Sequence, residues 1–190
     1  MKTHHNRSGF NQVIAGQLVM SSLLAISIFA SPVFAKKDSG SMSNQRLGKI
    51  IKRLDTKATG QPGYWKLSID GVKLIVITDE RADRMRIIAP ITSAQSLSTK
   101  KLYRLMQANF DTALDARYSI AKSVLWSTFI HPLKSLSDRE FISGIGQVVN
   151  LGQTYGGNYT SGALVFRGGD SETLQKRKLI DRLMEKGLVL

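Results

Sequence analysis

The chain has 190 residues, with 27 Lys and Arg against 14 Asp and Glu, a formal charge of +13, three histidines and no cysteine. A disulfide framework, thiolate chemistry and a lipidated-cysteine anchor are therefore excluded, and stability has to come from an apolar core. A balance this basic points either to an anionic partner or to charge that serves solubility alone.

The first 35 residues read as a signal peptide. Lys2 and Arg7 precede an apolar run over 13–30, and Pro32 followed by Val33-x-Ala35 makes a small-residue cleavage box. Left uncleaved, the same run approaches the roughly 20 residues of a membrane anchor. Cleavage predicts a periplasmic protein that starts at Lys36 and carries about +11 once Lys2 and Arg7 are gone. In that compartment nucleic acid is not an expected partner. A protein, or an anionic envelope component such as headgroups or glycans, is.

Residues 36–44, "KKDSGSMSN", read as a flexible leader, and 45–190 as a single domain. "QRLGKIIKRLDTKA" places Leu47, Ile50, Ile51 and Leu54 on one helical face, with Arg46, Lys49, Lys52 and Arg53 opposite. Such a helix either docks on a sheet or lies on an anionic membrane surface. "YWKLSID" alternates and Asp70-Gly71 marks a two-residue hairpin turn. "VKLIVITDE" is apolar on both sides, Leu74 and Val76 against Ile75 and Ile77, and "MRIIAPI" returns as a third strand.

A second helix, "STKKLYRLMQANF", presents Leu102, Leu105, Met106 and Phe110, and Asn109 is suited to closing it in the left-handed conformation. "ARYSIAKS" and "VLWSTFIHP" form a second hairpin. Ser137 and Glu140 make a capping box for a third helix, "DREFISGIGQVVNLGQTY". Gly144, Gly146 and Gly152 weaken that helix by roughly 1 kcal/mol each relative to Ala, which predicts close approach of another backbone. "ALVF" (163–166) reads as a short edge strand. A last helix, "SETLQKRKLIDRLMEKG", has Leu179, Ile180, Leu183 and Met184 inward and a basic stripe of Lys178, Arg182 and Lys186.

The expected class is α+β in the order αβββαββα, with an extra C-terminal strand-like segment and helix. This order resembles type III secretion chaperones and their YbjN-like relatives. "LYRLMQANFD", then an alternating strand, "LWSTFIHPL" and the capped "SDREFISGIGQVVNL" carry the resemblance, which spans roughly Gln45 to Tyr155. It implies a binding surface and a tendency to pair, and no catalytic residues. The chain departs from those chaperones in its export signal and its basic charge, so a secretion role does not carry over.

No cofactor or metal site is expected. His131, the one histidine past the signal, stands at a strand end, and "TDERAD" (78–83) reads as a solvated turn. "RGGDSE" reads as a helix cap. The candidate surfaces are two. Arg46, Lys49, Lys52, Arg53, Lys178, Arg182 and Lys186 would meet an anionic partner. Ile75, Ile77, Leu125 and Phe129 would form a second apolar side of the sheet, covered by a protein partner, a second copy of the chain or the C-terminal segment. The functional expectation is a non-catalytic, homodimeric binding protein; an envelope-associated hydrolase is the alternative.

Overall fold

The structure is a computed structural model and describes residues 40–111, 113–161 and 171–188. The signal segment, most of the leader and the expected 163–166 strand lie outside the described residues. Among the described residues four α-helices and six strands follow one another as α1 (Asn44–Leu54), β1 (Thr59–Gln61), β2 (Tyr64–Ile69), β3 (Val72–Asp79), β4 (Arg84–Ser93), α2 (Thr99–Asp111), β5 (Arg117–Ala121), β6 (Val124–His131), α3 (Asp138–Thr154) and α4 (Ser171–Gly187). This is the α+β order read from the sequence, with one strand added: β1, three exposed residues, was hidden in the break after α1.

All strands are antiparallel, in the spatial order β1-β2-β3-β4-β6-β5. The β2–β3 turn has Asp70 at φ 46° and Gly71 at φ 80°, the paired positive values that a type I′ turn requires. The register places Trp65 beside Val76, Val76 beside Ile87 and Ile87 beside Phe129. Because side chains alternate along a strand, these residues share one face with Leu67, Leu74, Met85, Leu125 and Ser127. That face is buried.

Helix α3 is packed against it and is buried on nearly every side. α4 lies along the outer side of α3, and α1 packs against β2 and α4. The four apolar positions of α1 are at most 2% exposed, each contributing about 1.5–3 kcal/mol of burial. The glycines let these layers close. A Cβ on Gly144 would stand 2.9–3.0 Å from the Phe129 ring, and one on Gly146 would meet Cγ1 of Ile180 at 2.6 Å. Ser137 caps α3 through the reciprocal bonds with Glu140.

Helix α2 departs from its sequence pattern. Leu105 and Ala108 are its buried residues, while Met106 is 56% and Phe110 91% exposed. The apolar spacing is helical, but its outer half has no cover among the described residues. Asn109 does not adopt the left-handed conformation expected of it. Its side chain instead binds the outer strand: Nδ2 donates to the Tyr118 carbonyl at 3.1 Å and Oδ1 accepts from the Tyr118 N–H at 2.7 Å. One amide thereby satisfies both backbone groups of an edge-strand residue. Lys101 and Arg104 of α2 sit 5.2 and 5.0 Å from the rings of Tyr155 and Tyr159.

Candidate functional site

The second face of the sheet has no helix over it among the described residues. The strand that reads as apolar on both sides is the reason it matters. Leu74 and Val76 of β3 go to the helices, so Ile75 and Ile77 must point the other way, and both are half-buried. Lys66 pairs with Ile75, Arg86 with Ile77 and Ile88 with Thr128, which brings all of these onto the same open face.

Two expected members do not join them. Leu125 and Phe129 are 1% and 3% exposed and pack beneath α3. The phase of β6 is therefore the reverse of the one the interface reading needed. Both faces of that strand are apolar, so alternation alone had no means of choosing. Trp126 and Ile130 take the outward places, Ile130 being 56% exposed. Tyr64, at 39%, adds an aromatic from β2.

Together Tyr64, Ile75, Ile77, Ile88, Trp126 and Ile130 line a depression of about 440 Å³ that draws on five of the six strands. With strands about 4.8 Å apart it is about 19 Å across. Its borders are cationic. Lys66, Lys73, Arg84 and Arg86 are exposed outward positions, and Lys122 lines the depression from the β5–β6 turn. Asp79 is the acid among the outward positions of β3, and Asp55 borders the face beside Lys66 and Lys73. Asp79 Oδ1 accepts from the N–H groups of Arg81 and Ala82 and is committed to the β3–β4 turn. The rim cations were readable as Arg-x-Arg alternation in "RMRII", a signal assigned to no site in the sequence.

Several cations of the basic helix faces bond to neighbouring groups, although Lys52, Arg182 and Lys186 stay exposed. Arg46 Nε meets Asp138 Oδ1 at 2.7 Å, and its Nη1 donates to the Gly40 carbonyl. Lys52 Nζ donates to the Ala58 carbonyl. Arg182 pairs with Asp70 at 2.9 Å, and Lys186 Nζ donates to the Leu54 carbonyl at 2.7 Å. Arg53 is half-buried, and its Nε meets no hydrogen-bond partner. Lys49 and Lys178 stand exposed. Of the stripes seen in sequence, Arg46 thus ties α1 to α3, Lys186 ties α4 to the end of α1, Arg182 ties α4 to the β2–β3 turn, and Lys52 closes on the segment just after α1.

A cleft of about 530 Å³ at the start of α3 gathers Asp115, His131, Ser143 and Gln147. These are the residue types of a hydrolase, but they are not linked as a relay. Gln147 Nε2 donates to both Asp115 Oδ2 and Ser143 Oγ, and its Oε1 accepts from the Asp115 and Ala116 N–H groups. The His131 ring stacks on Phe129, and its Nδ1 donates to the Pro132 carbonyl at 2.8 Å. A general base has to be within hydrogen-bond reach of its nucleophile. The carboxylates of "TDERAD" also part company: Glu80 accepts from the Asn44 N–H and Asp83 from the Lys134 N–H.

The buried Tyr118 completes the frame behind the sheet. Its hydroxyl donates to the Leu151 carbonyl at 2.9 Å, and its ring meets Tyr159 edge-on. Burial pushes its pKa well above the ordinary tyrosine value of 10.0.

No family model matches the chain, and no curated protein matches it. It is similar to a chain of the HopA1–SchA chaperone–effector complex, with 11% identity, 59% of this chain and 94% of that one covered, and a TM-score of 0.44. It is similar to a chain of the ExsC–ExsE complex at 13% identity, covering 59% and 89%, with a TM-score of 0.47. A third likeness is to the structure of the Yersinia pestis type III secretion chaperone SycH with a fragment of YscM2, at 15% identity, covering 57% and 98%, with a TM-score of 0.42.

Proposed function

We propose that the protein is exported to the periplasm and acts there without catalysis, as a dimeric binding protein that receives a protein partner on the open face of its sheet. The observation that carries this reading is the depression around Ile75, Ile77, Trp126 and Ile130. An apolar surface of several strands' width, left bare by every helix among the described residues, is a docking surface rather than a core. Export rests on the basic start, apolar run and cleavage box of residues 1–35. Pairing is supported by α2, where Tyr103, Met106 and Phe110 are 70%, 56% and 91% exposed and fall on one helical stripe. The anionic-envelope reading rests on the exposed Lys49 and Lys178, with Lys52, Arg182 and Lys186 exposed but bonded to neighbouring groups.

The test is site-specific photocrosslinking in intact cells from positions 77 and 130, with positions 49 and 178 as the comparison. One dominant protein adduct from the sheet positions is expected. Adducts to lipid or glycan from 49 and 178, with none from the sheet, would transfer the function to the basic helices. Light scattering of the purified protein should give a dimer mass that Met106→Glu with Phe110→Glu reduces to a monomer. An unchanged mass would remove α2 as the pairing surface.

A further inference from the structure

The open face is polarised along its strands, and that polarity names the chemistry of its occupant. This inference rests on the docking role proposed above. Lys73 stands at one end of β3, and Lys122 in the β5–β6 turn lies at the same end, because β4 runs antiparallel to β6 and Ser93 pairs with Val124 beside that turn. Arg84 pairs with Asp79 at the other end of β3, and Arg86 with Ile77 one step inward. Asp79 is six positions beyond Lys73, which sets the two basic ends about 20 Å apart. Between them lie Ile75, Ile77, Ile88 and Ile130, with Lys66 beside Ile75 on the β2 side and Trp126 level with Lys73. The acids near this face are engaged with neighbouring groups: Asp79 with its turn, Asp70 with Arg182, and Asp55, which borders Lys66 and Lys73, with the N–H groups of Lys57 and Ser68.

We infer that the face binds an extended segment of another protein with an apolar middle and acidic residues at both ends. About six residues of strand-like chain span the distance, at about 3.3 Å each. A second copy of this chain is the wrong occupant. Both ends of its face are basic, so face-to-face docking sets cation against cation in either direction, and like charges across an interface suppress association. A bilayer is the wrong shape, because a flat headgroup surface leaves a depression between two cationic ends unfilled.

The test uses synthetic peptides of about twelve residues, an apolar middle flanked by glutamates, with glutamine-flanked and lysine-flanked counterparts. Trp126 provides the signal: it is half-buried on the face, while Trp65 is 6% exposed in the core. Apolar cover should move its emission to shorter wavelength. The glutamate peptide is expected to bind, the glutamine peptide about tenfold more weakly, and the lysine peptide not at all. Raising salt from about 50 to 500 mM should weaken the glutamate peptide and leave the glutamine peptide unaffected. Arg84→Glu with Arg86→Glu, both exposed positions, should remove most of the preference for glutamate over glutamine, because Lys73 and Lys122 remain at the other end, with far-UV circular dichroism unchanged.

Equal binding of all three peptides, abolished by Ile77→Asp, overturns the acidic preference and leaves the docking face standing. No response from any peptide, together with no protein adduct from position 77 in cells, overturns both. Phosphatidylglycerol vesicles shifting Trp126 where the glutamate peptide does not would overturn it in favour of a lipid.

Discussion

Two alanine substitutions in the same helix should change stability in opposite directions. Gly144 and Gly152 both lie inside α3, so propensity alone predicts that alanine stabilises each by about 1 kcal/mol. At Gly152 the nearest atom to a new Cβ is Val72 Cγ1 at 3.8 Å, an ordinary contact. Gly152→Ala should therefore keep most of that gain, about 0.5–1 kcal/mol. At Gly144 three atoms of the Phe129 ring lie at 2.9–3.0 Å. The ring is 3% exposed between the sheet and α3, so it has to shift within the core for the Cβ to fit. Overpacking of this kind costs about 1–3 kcal/mol, so the net effect of Gly144→Ala is a loss of about 1–2 kcal/mol. Urea unfolding followed by circular dichroism measures both. With a slope of about 1–3 kcal/mol/M, the Gly144→Ala midpoint should fall by roughly 0.5–1 M and the Gly152→Ala midpoint should rise. Two substitutions that shift the midpoint the same way would refute the claim that close approach of Phe129 decides the residue at position 144.

Tyr118 should make stability fall in base. Its folded pKa is raised by burial, so the folded state holds the proton longer than the unfolded chain does. The contribution is present in full below pH 10.0 and is lost as pH rises beyond it. Tyr118→Phe should flatten the decline measured by urea unfolding between pH 9 and 11, at a cost of about 1 kcal/mol at neutral pH from the lost bond to Leu151. Asn109→Ala removes both bonds to the Tyr118 backbone and should cost about 1–3 kcal/mol, with faster amide hydrogen exchange at Tyr118. Asn109→Asp should recover only the accepting half. The β5–β6 turn holds Lys122 at φ 51° and Ser123 at φ 59°. Lys122→Asn with Ser123→Gly, the residues a type I′ turn favours, should stabilise the fold by about 1–2 kcal/mol, read as a rise of a few degrees in Tm.

How much the sequence determined differs from element to element. Local signals placed the β2–β3 hairpin, the capping box and α3 almost to the residue, because each rests on periodicity or on side-chain-to-backbone bonds within a few positions; α1 was located by its periodicity but ends at Leu54, four residues before the reading had it. The glycines of α3 read as close approach of another backbone; at Gly144 and Gly146 the tight neighbours are instead side chains, Phe129 and Ile180 from distant parts of the chain, and Gly152 has only an ordinary contact. The phase of β6 was beyond the sequence. A strand apolar on both sides gives alternation no polar face to read, and only pairing with β4 turned Leu125 and Phe129 inward and Trp126 and Ile130 outward. α2 shows the same limit in helical form: its spacing located an apolar stripe, and tertiary packing left Met106 and Phe110 bare. Charge followed a similar rule. Composition fixed the basic excess, yet distance in space decided that Arg46, Arg182 and Lys186 tie the fold together while Lys73, Arg84 and Arg86 border an open face. An ionic contact forms wherever the folded chain brings two groups within reach, and spacing along the sequence carries that information only inside a single helix or turn.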